Sequence, residues 1–388
     1  MKYSIPSFAS LVLVLIFGCT NHTSLSLSEH QIISVPDVLE NIVPQDSLFS
    51  AIDIVPLETS DKCLIRDVRS VKIYDSLIYI NSGMKDLLVF DFTGKFKQKI
   101  ASRGNGPGEY LDVRDFVITQ DHKIEILDFK KILTYTLDGE FVSKTTFDFM
   151  GKDIYSNPVN FTTSHAGGYF LWGGYIGIRD AEARDRNYMM HLVNKDMQIQ
   201  KSYFPIGNGD GGMRNRFTCY NDTVLIAPYL FGYDLYQIDQ NDSLSVRYHI
   251  DFGKYSIAKH VASPEKHVDM STVDWENHIT NISNFVESDD WICVSFHYQT
   301  VYTLLHSKQT HHNYCFSTAY PLKDELRFYP VSQFYNNKLL TVIDADWLVS
   351  ELDRITPEGR TKWNLEQYKS LNPGANPVLI FYTFKTIK

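Results

Sequence analysis

Arg103, Glu109 and Tyr110 stand in one short run, Arg103-Gly-Asn-Gly-Pro-Gly-Glu-Tyr110, where three glycines bring a cation, a carboxylate and an aromatic ring together. Backbone N–H groups in such a loop can face an anion. The spacing is neither Gly-x-Gly-x-x-Gly nor a Gly-Lys-Ser/Thr phosphate loop, and no helical pattern follows to add a dipole. A connector between sheets needs the same tight turns and positive φ. The run therefore reads either as a structural joint or as a ligand-binding rim formed by Arg103, Glu109 and Tyr110. A second candidate is Trp172 with Tyr175, in Gly-Gly-Tyr-Phe-Leu-Trp-Gly-Gly-Tyr. Aromatic faces beside glycines suit stacking of a sugar or peptide, although in a chain that is 14% Phe, Trp and Tyr the same rings also serve as core.

Metal and nucleophile chemistry has little to draw on. Gly207-Asn-Gly-Asp-Gly-Gly212 offers oxygens at Asn208 and Asp210 but lacks the spaced acids and closing glutamate of a calcium loop. His311 and His312 are adjacent in an expected hairpin turn, where neighbouring side chains diverge. No His-Glu-x-x-His, Cys-x-x-Cys or Gly-x-Ser-x-Gly occurs. The expectation is no metal site and no cofactor. Cys63, Cys219, Cys293 and Cys315 read as thiols on strands. Cys293 and Cys315 are expected two strands apart in one sheet, roughly 9.5 Å, too far for a disulfide.

The 388 residues carry 37 Lys and Arg against 46 Asp and Glu, a formal charge of −9, and no basic run. Nucleic acid is an unlikely partner on that balance. Lys2 followed by the apolar run 8–17 is about 15 Å of helix, half a bilayer core, and reads as a signal peptide. Gly18-Cys19 at its end matches a bacterial lipoprotein junction with Cys19 acylated; an ordinary signal peptide with a coincidental cysteine is the alternative. Residues 1–18 are read as the leader, 19–45 as a tether with the polar stretch 20–28, and 46–388 as one globular domain.

That domain is all-β. Residues 68–74, 77–81, 87–92 and 96–100 form four apolar-patterned strands joined by turn residues, a meander. Leu88-Val-Phe-Asp-Phe-Thr-Gly94-Lys-Phe96 then recurs as Leu133-Thr-Tyr-Thr-Leu-Asp-Gly139-Glu-Phe141, with weaker copies at 191–199, 235–244 and 301–309. Each copy reads as a third strand, a turn and the start of a fourth. A four-stranded unit repeated at this length marks a propeller blade, because one such sheet cannot bury both faces alone. Residues 46–388 divide into ~57 per blade for six blades and ~49 for seven, and the five copies plus the strong strand at 376–384 favour six. The segment 52–57 is expected to close the ring beside that last strand. Ser263-Pro264-Glu265 and the spacing through Val273, Ile279, Ile282 and Phe285 suggest a short helical insertion between blades four and five.

At Asp53-Ile-Val-Pro-Leu-Glu-Thr59, Arg103–Tyr110 with Asp115-Phe116, Tyr248-His-Ile-Asp-Phe-Gly253 and Asn376-Pro-Val-Leu379 the chain resembles the six-bladed β-propeller lipoproteins of Bacteroides-type bacteria, and more distantly NHL-like propellers. The resemblance implies a fold and an address; it carries over no catalytic residue. Two functions stay open. One is a lipid-anchored binding or scaffold protein of the cell envelope, monomeric, at the outer membrane, whose loop-lined face holds a glycan, peptide or protein partner. The other is a metal-dependent propeller hydrolase of the lactonase type, its metal held by residues from different blades.

Overall fold

The computed structural model describes residues 32–40, 42–147, 158–173, 188–205, 217–227, 232–257 and 273–385. The expected leader, Cys19 and most of the tether, Tyr175, the glycine run 207–212 and the helix start at 263–265 lie outside them. A short N-terminal strand, β1 (Ile32–Ser34), precedes β2 (Phe49–Pro56). Blade one is β3 (Val68–Tyr74), β4 (Leu77–Ser82), β5 (Asp86–Asp91) and β6 (Phe96–Ile100). The two-residue strands β7 (Ser102–Arg103) and β8 (Glu109–Tyr110) lead to blade two: β9 (Asp115–Ile118), β10 (Lys123–Asp128), β11 (Lys131–Thr136) and β12 (Phe141–Thr146). Blade three is β13 (Pro158–Thr163), β14 (Tyr169–Gly173), β15 (Tyr188–Val193) and β16 (Ile199–Pro205). Blade four is β17 (Phe217–Tyr220), β18 (Thr223–Ile226), β19 (Asp234–Ile238) and β20 (Leu244–Asp251). Blade five is β21 (Asn281–Glu287), β22 (Trp291–Tyr298), β23 (Thr300–Ser307) and β24 (Asn313–Ser317). Blade six is β25 (Gln333–Tyr335), β26 (Lys338–Ile343) and β27 (Val378–Phe384), completed by β2. The protein is a six-bladed propeller of antiparallel, mainly four-stranded sheets, as expected.

The recurring glycine follows from how blades meet. Gly94 and Gly139 close the turns between third and fourth strands at φ +80° and +85°, where a side chain is strained. A Cβ on Gly94 would also stand 2.0 Å from the Pro56 carbonyl, because the outer strand of blade six ends against this turn of blade one. Glu58 N then donates to Gly94 O (2.8 Å). Gly139 receives Ile100 from blade one in the same way, so the repeat records a blade-to-blade contact.

The third strands bury their central residues because each lies between two strands and two neighbouring blades. Leu87–Phe90, Ile132–Leu133 and Leu304–Leu305 are all essentially buried. Aromatic pairs bridge blades: Trp172 meets Phe217 at 6.3 Å between blades three and four, and Trp291 stacks on Phe384 at 4.7 Å between five and six. Each such ring contributes about 1.5–3 kcal/mol on burial. Along the inner strands, side chains clasp the next blade's backbone. Lys72 Nζ donates to Phe116 O (2.5 Å), Phe161 N donates to the Asp115 carboxylate (3.1 Å) and Thr218 Oγ1 donates to Phe285 O (2.6 Å).

Cys293 pairs opposite Leu305 and Cys315 opposite Leu304, so the two thiols sit two strands apart and on opposite faces of blade five. Both are buried and free, in agreement with the sequence expectation. Burial pushes the Cys315 thiol up to about 12.

One expectation needs correction. Residues 32–45 are not a free tether. β1 adds to blade four as a fifth strand, parallel to β20 through Ile32↔His249 and Ser34↔Asp251, and Ile33, Val35 and Val38 are buried. The chain then crosses blade five, where Val43 N donates to Cys315 O (3.2 Å), before entering blade six as β2. The reason lies in the edges: β24, Asn-Tyr-Cys-Phe-Ser, has no charge to protect its open side, whereas the uncovered β6 and β16 carry Lys97, Lys99 and Lys201.

The start of the expected helical insertion, 263–265, lies outside the described residues, while Ile282 and Phe285, counted in its spacing, lie on β21. Blades four and five are joined, among the described residues, by a single 3-10 turn, Gly253–Tyr255. α1 (Ala345–Arg354) and α2 (Pro357–Lys362) interrupt blade six between β26 and β27. Leu348, Leu352 and Ile355 form the buried stripe, and Thr356 caps α2 by accepting from Gly359 N (3.3 Å), with Pro357 in the first turn.

Candidate ligand-binding face

The two ends of the ring differ. One end carries the turns between first and second and between third and fourth strands, all short: 75–76, 92–95, 137–140, 221–222, 288–290 and 336–337 among them. Its polar groups are engaged with one another across blades. Asp242 accepts from Ser164 Oγ (2.6 Å), His165 N (2.9 Å) and Ala166 N (3.0 Å), and Tyr220 OH donates to Asp289 (2.7 Å). The buried Glu287 carboxylate is clamped by Arg247 (2.6 and 2.8 Å) and by Lys308 (2.5 Å). These contacts tie blades together.

The opposite end carries the described blade-to-blade connections and the described turns between second and third strands. The connections 57–67, 101–114 and 318–332, the described parts 252–257 and 273–280 of the fourth-to-fifth connection, and the helical segment 344–377 emerge there. Asp128, buried at the end of β10, organises the glycine run: its carboxylate accepts from Leu111 N (2.9 Å) and Asp112 N (3.3 Å) and pairs with Lys131 (3.2 Å), whose Nζ also donates to Glu109 O (2.9 Å). Glu109 folds back so that Gly106 N donates to its carboxylate (2.7 Å), and a Cβ on Gly104 would meet that carboxylate at 2.0 Å. The glycines make room for Glu109, which is a structural use. Arg103 remains outward, half-exposed, with Nε donating to Leu111 O (2.8 Å). Tyr110 is fully buried, and that burial raises its hydroxyl pKa. Trp172 is core as well, packed with Phe204 and Phe217, so the expected stacking platform at Trp172 is not on the surface. Of the residues singled out in the sequence, the structure thus leaves Arg103 and the half-buried Glu109 on the accessible rim.

Next to the glycine run, Arg114 lies flat over the Phe129 ring at 4.0 Å and donates to Pro158 O (3.1 Å). Burial lowers the guanidinium pKa, with Asp112 and Asp128 acting against it. At the start of β9, buried Asp115 accepts from Phe116 N (2.8 Å) and Asn160 Nδ2 (3.3 Å); its pKa is raised by burial, with Lys72 opposing. Cys219 is a free thiol exposed to solvent. Among the described residues no three His, Cys, Asp or Glu side chains converge as a metal-ligand set.

The connection end also displays the large apolar side chains. Leu64, Leu111, Trp275, Tyr320, Leu322 and Trp347 are exposed there, Tyr320 at 64% and Trp347 at 51%, and no exposed large hydrophobic residue lies in the described turns of the other end. These side chains are positioned. Tyr329 meets Trp347 edge-on at 6.1 Å, and Glu351 of α1 holds Arg327 (2.8 Å) and Arg354 (2.8 Å). Thr356 N donates to Asp324 (3.0 Å), which fixes the connection bearing Tyr320 and Leu322 onto α2. Gln299 Nε2 donates to Glu276 O (2.9 Å), and Tyr298 meets Tyr255 at 5.5 Å, bringing Trp275 beside the β22–β23 turn. Residue type did not single these out. Their place between repeat units did carry a signal, since the repeat locates every connection.

The model of one protein family, described as a domain of unknown function, DUF4934, matches residues 31–383. The chain belongs to the DUF4934 family. The DUF4934 match begins one residue before β1 and runs into β27, so the strap across blades four to six belongs to the family domain. The chain is similar to the crystal structure of a Bacteroides fragilis protein described as exported, at 18% identity and TM-score 0.71, over 92% of this chain and 100% of that one. That likeness shows the propeller fold. Further matches are the Pan2 WD40 domain of Neurospora crassa (10% identity, TM-score 0.39, 83% of this chain and 76% of that one) and the extracellular domain of a hybrid two-component system protein of B. thetaiotaomicron (13%, 0.39, 75% and 36%). No curated protein matches the chain.

Proposed function

We propose that this DUF4934 protein is an extracytoplasmic binding module, anchored to the bacterial envelope through Cys19, whose connection end holds a glycan, peptide or protein partner. The observation that carries this reading is the asymmetry of the ring: exposed Trp275, Tyr320, Leu322, Trp347, Leu64 and Leu111 all belong to one end, beside Arg103. Exposed apolar and aromatic side chains gathered on one end suit an interaction site, and loops on a rigid scaffold are where binding residues concentrate. The described strands supply that scaffold. In the described turns of the other end no large hydrophobic residue is exposed, and their polar groups make blade-to-blade contacts.

Glycan and peptide arrays probed with the purified domain test the reading. Trp275→Ala, Tyr320→Ala and Trp347→Ala remove exposed rings, so stability should change by about 0.5 kcal/mol or less, while binding of the array ligand should weaken about tenfold or more for at least two of the three. A ligand indifferent to all three would overturn the assignment of this end. The address is tested separately: Cys19→Ser should move the protein from the membrane fraction to the soluble one and remove acyl mass. Unchanged fractionation and mass would refute the anchor.

A further inference from the structure

We infer that β12, the outer strand of blade two, accepts an additional strand from an extended segment of another protein, with an acidic residue of that segment facing Lys144. This surface is on the outer wall of the ring and is independent of the connection end.

The fold already contains one such addition. β1 lies along β20 as a fifth strand, and the strap that follows crosses the uncharged edge of β24. Among the described residues no strand pairs with the outer edges of the other blades, and three of these edges are ordinary protected ones: β2 carries Asp53 and Pro56, β6 carries Lys97 and Lys99, and β16 carries Lys201 and Pro205. β12, Phe-Val-Ser-Lys-Thr-Thr, also carries a lysine, Lys144, and departs from them in its exposed apolar residues. It is exposed on both faces, with Phe141 at 42% and Val142 at 46%.

The repeat allows a position-by-position comparison. The residue two after the turn glycine is Phe96 in blade one and Phe141 in blade two. Phe96 is partly covered, packing edge-on with Phe90 at 5.7 Å, and its N–H donates to Glu58 from blade six (3.2 Å). Phe141 touches Tyr135 at 6.0 Å and lies against Gly108, with the rest of its ring outward. The next residue is Lys97 in blade one and Val142 in blade two. The position that is charged in one blade is apolar in the other.

The backbone of β12 is arranged for the addition. Phe147 N donates to Lys130 O (2.9 Å), and the register pairs Thr146 with Lys131 and Lys144 with Leu133. In the alternating antiparallel ladder this turns the N–H and C=O of Lys144 and Thr146 outward. An incoming strand would bond to those groups and cover Phe141 and Val142, the usual division between main-chain affinity and side-chain specificity in strand addition. Lys144 is the one charge on the strand. A second copy of β12 would bring another lysine, so a partner strand bearing Asp or Glu is the complementary occupant.

The probe is a displayed library of random eight-residue segments between fixed flanks, selected on the full-length protein. Selected segments should carry an acid at one recurring position and lose at least tenfold in affinity against Lys144→Glu and against Thr146→Pro. Lys97→Glu, on the edge of blade one, should leave them unchanged. Hydrogen exchange gives a second readout that does not depend on the variants: the Lys144 and Thr146 amides should exchange fast in the free protein and become protected with bound segment. Protection already present in the free protein would mean that this chain or a second copy covers the edge, and would overturn the proposal. So would segments that bind without protecting these amides, or a selection that yields none.

Discussion

A chain lacking Phe49–Pro56 is expected to lose its cooperative thermal transition and to aggregate. β2 is the only part of blade six that comes from the N-terminal end, and it pairs with β27 from Ala51↔Thr383 to Pro56↔Val378. Without it β27, Val-Leu-Ile-Phe-Tyr-Thr-Phe, becomes an outer edge with no charge and no proline, the composition that promotes edge-to-edge association. The loss also opens the core. Phe49 is surrounded by Phe316 (5.7 Å), Phe328 (5.8 Å), Tyr382 (5.1 Å) and Phe384 (5.2 Å), and Ile52 and Ile54 are buried in the same cluster. The single substitution Phe49→Ala should cost about 3–5 kcal/mol, since so crowded a pocket collapses only in part. The exposed pair Lys338–Asp53 (2.7 Å) is the control: Asp53→Asn should change stability by less than about 1 kcal/mol. Calorimetry with sedimentation decides the matter. A truncated chain that stays monomeric with an unchanged melting temperature would show that the ring does not depend on this strand.

The same strand shows why so much of the fold was legible. Blades repeat, and each repeat pairs an apolar third strand with a turn that only glycine fits well, so Gly94 and Gly139 announce the period without any knowledge of the packing. Ring closure by 52–57 followed from counting strands. The strap was not legible, because its contacts come from a three-residue strand and from Val35 and Val38, spaced like any irregular segment; what makes them bury is the apolar cluster of blades four and five that they meet. α1 and α2 did have a signal, in Leu348, Leu352 and Ile355 followed by Thr356-Pro357, but a count of repeated strands gives a helical segment inside a blade no place. The candidate face was half visible. Glycine density pointed to the loop of Arg103 and Glu109, yet Trp172 and Trp347 are the same residue type, and only the strand alternation that buries one and the helix surface that exposes the other separates them.

Asn376→Ala is expected to be among the most damaging single substitutions in the protein, at about 3–5 kcal/mol, although it removes only an amide. Asn376 is buried at the entry to β27. Its Nδ2 donates to Glu58 O (2.6 Å) and to Cys63 O (2.8 Å), its Oδ1 accepts from Ile65 N (2.8 Å), and its backbone N–H donates to Thr59 Oγ1 (2.8 Å). One side chain therefore satisfies three backbone groups of the connection from blade six to blade one, 57–67, and joins the two sequence stretches at opposite ends of the chain, Asp53–Thr59 and Asn376–Leu379. Each buried group left without a partner costs about 1–3 kcal/mol, and alanine cannot replace any of the three bonds. Asn376→Asp separates geometry from polarity: it keeps the acceptor for Ile65 N but sets a carboxylate against the two carbonyls, so it should be at least as damaging as alanine at neutral pH and recover stability on acidification as the carboxyl regains a proton. The folded-state pKa of that carboxyl would be raised, so its destabilisation grows as pH rises above the ordinary carboxylate range. Denaturant unfolding of both variants from pH 4 to 8 reads this out. Equal stabilities of wild type and Asn376→Ala, or an Asn376→Asp stability that rises with pH relative to wild type, would mean that the connection is held by its apolar residues Leu57, Cys63 and Ile65 and that the asparagine is not the clasp.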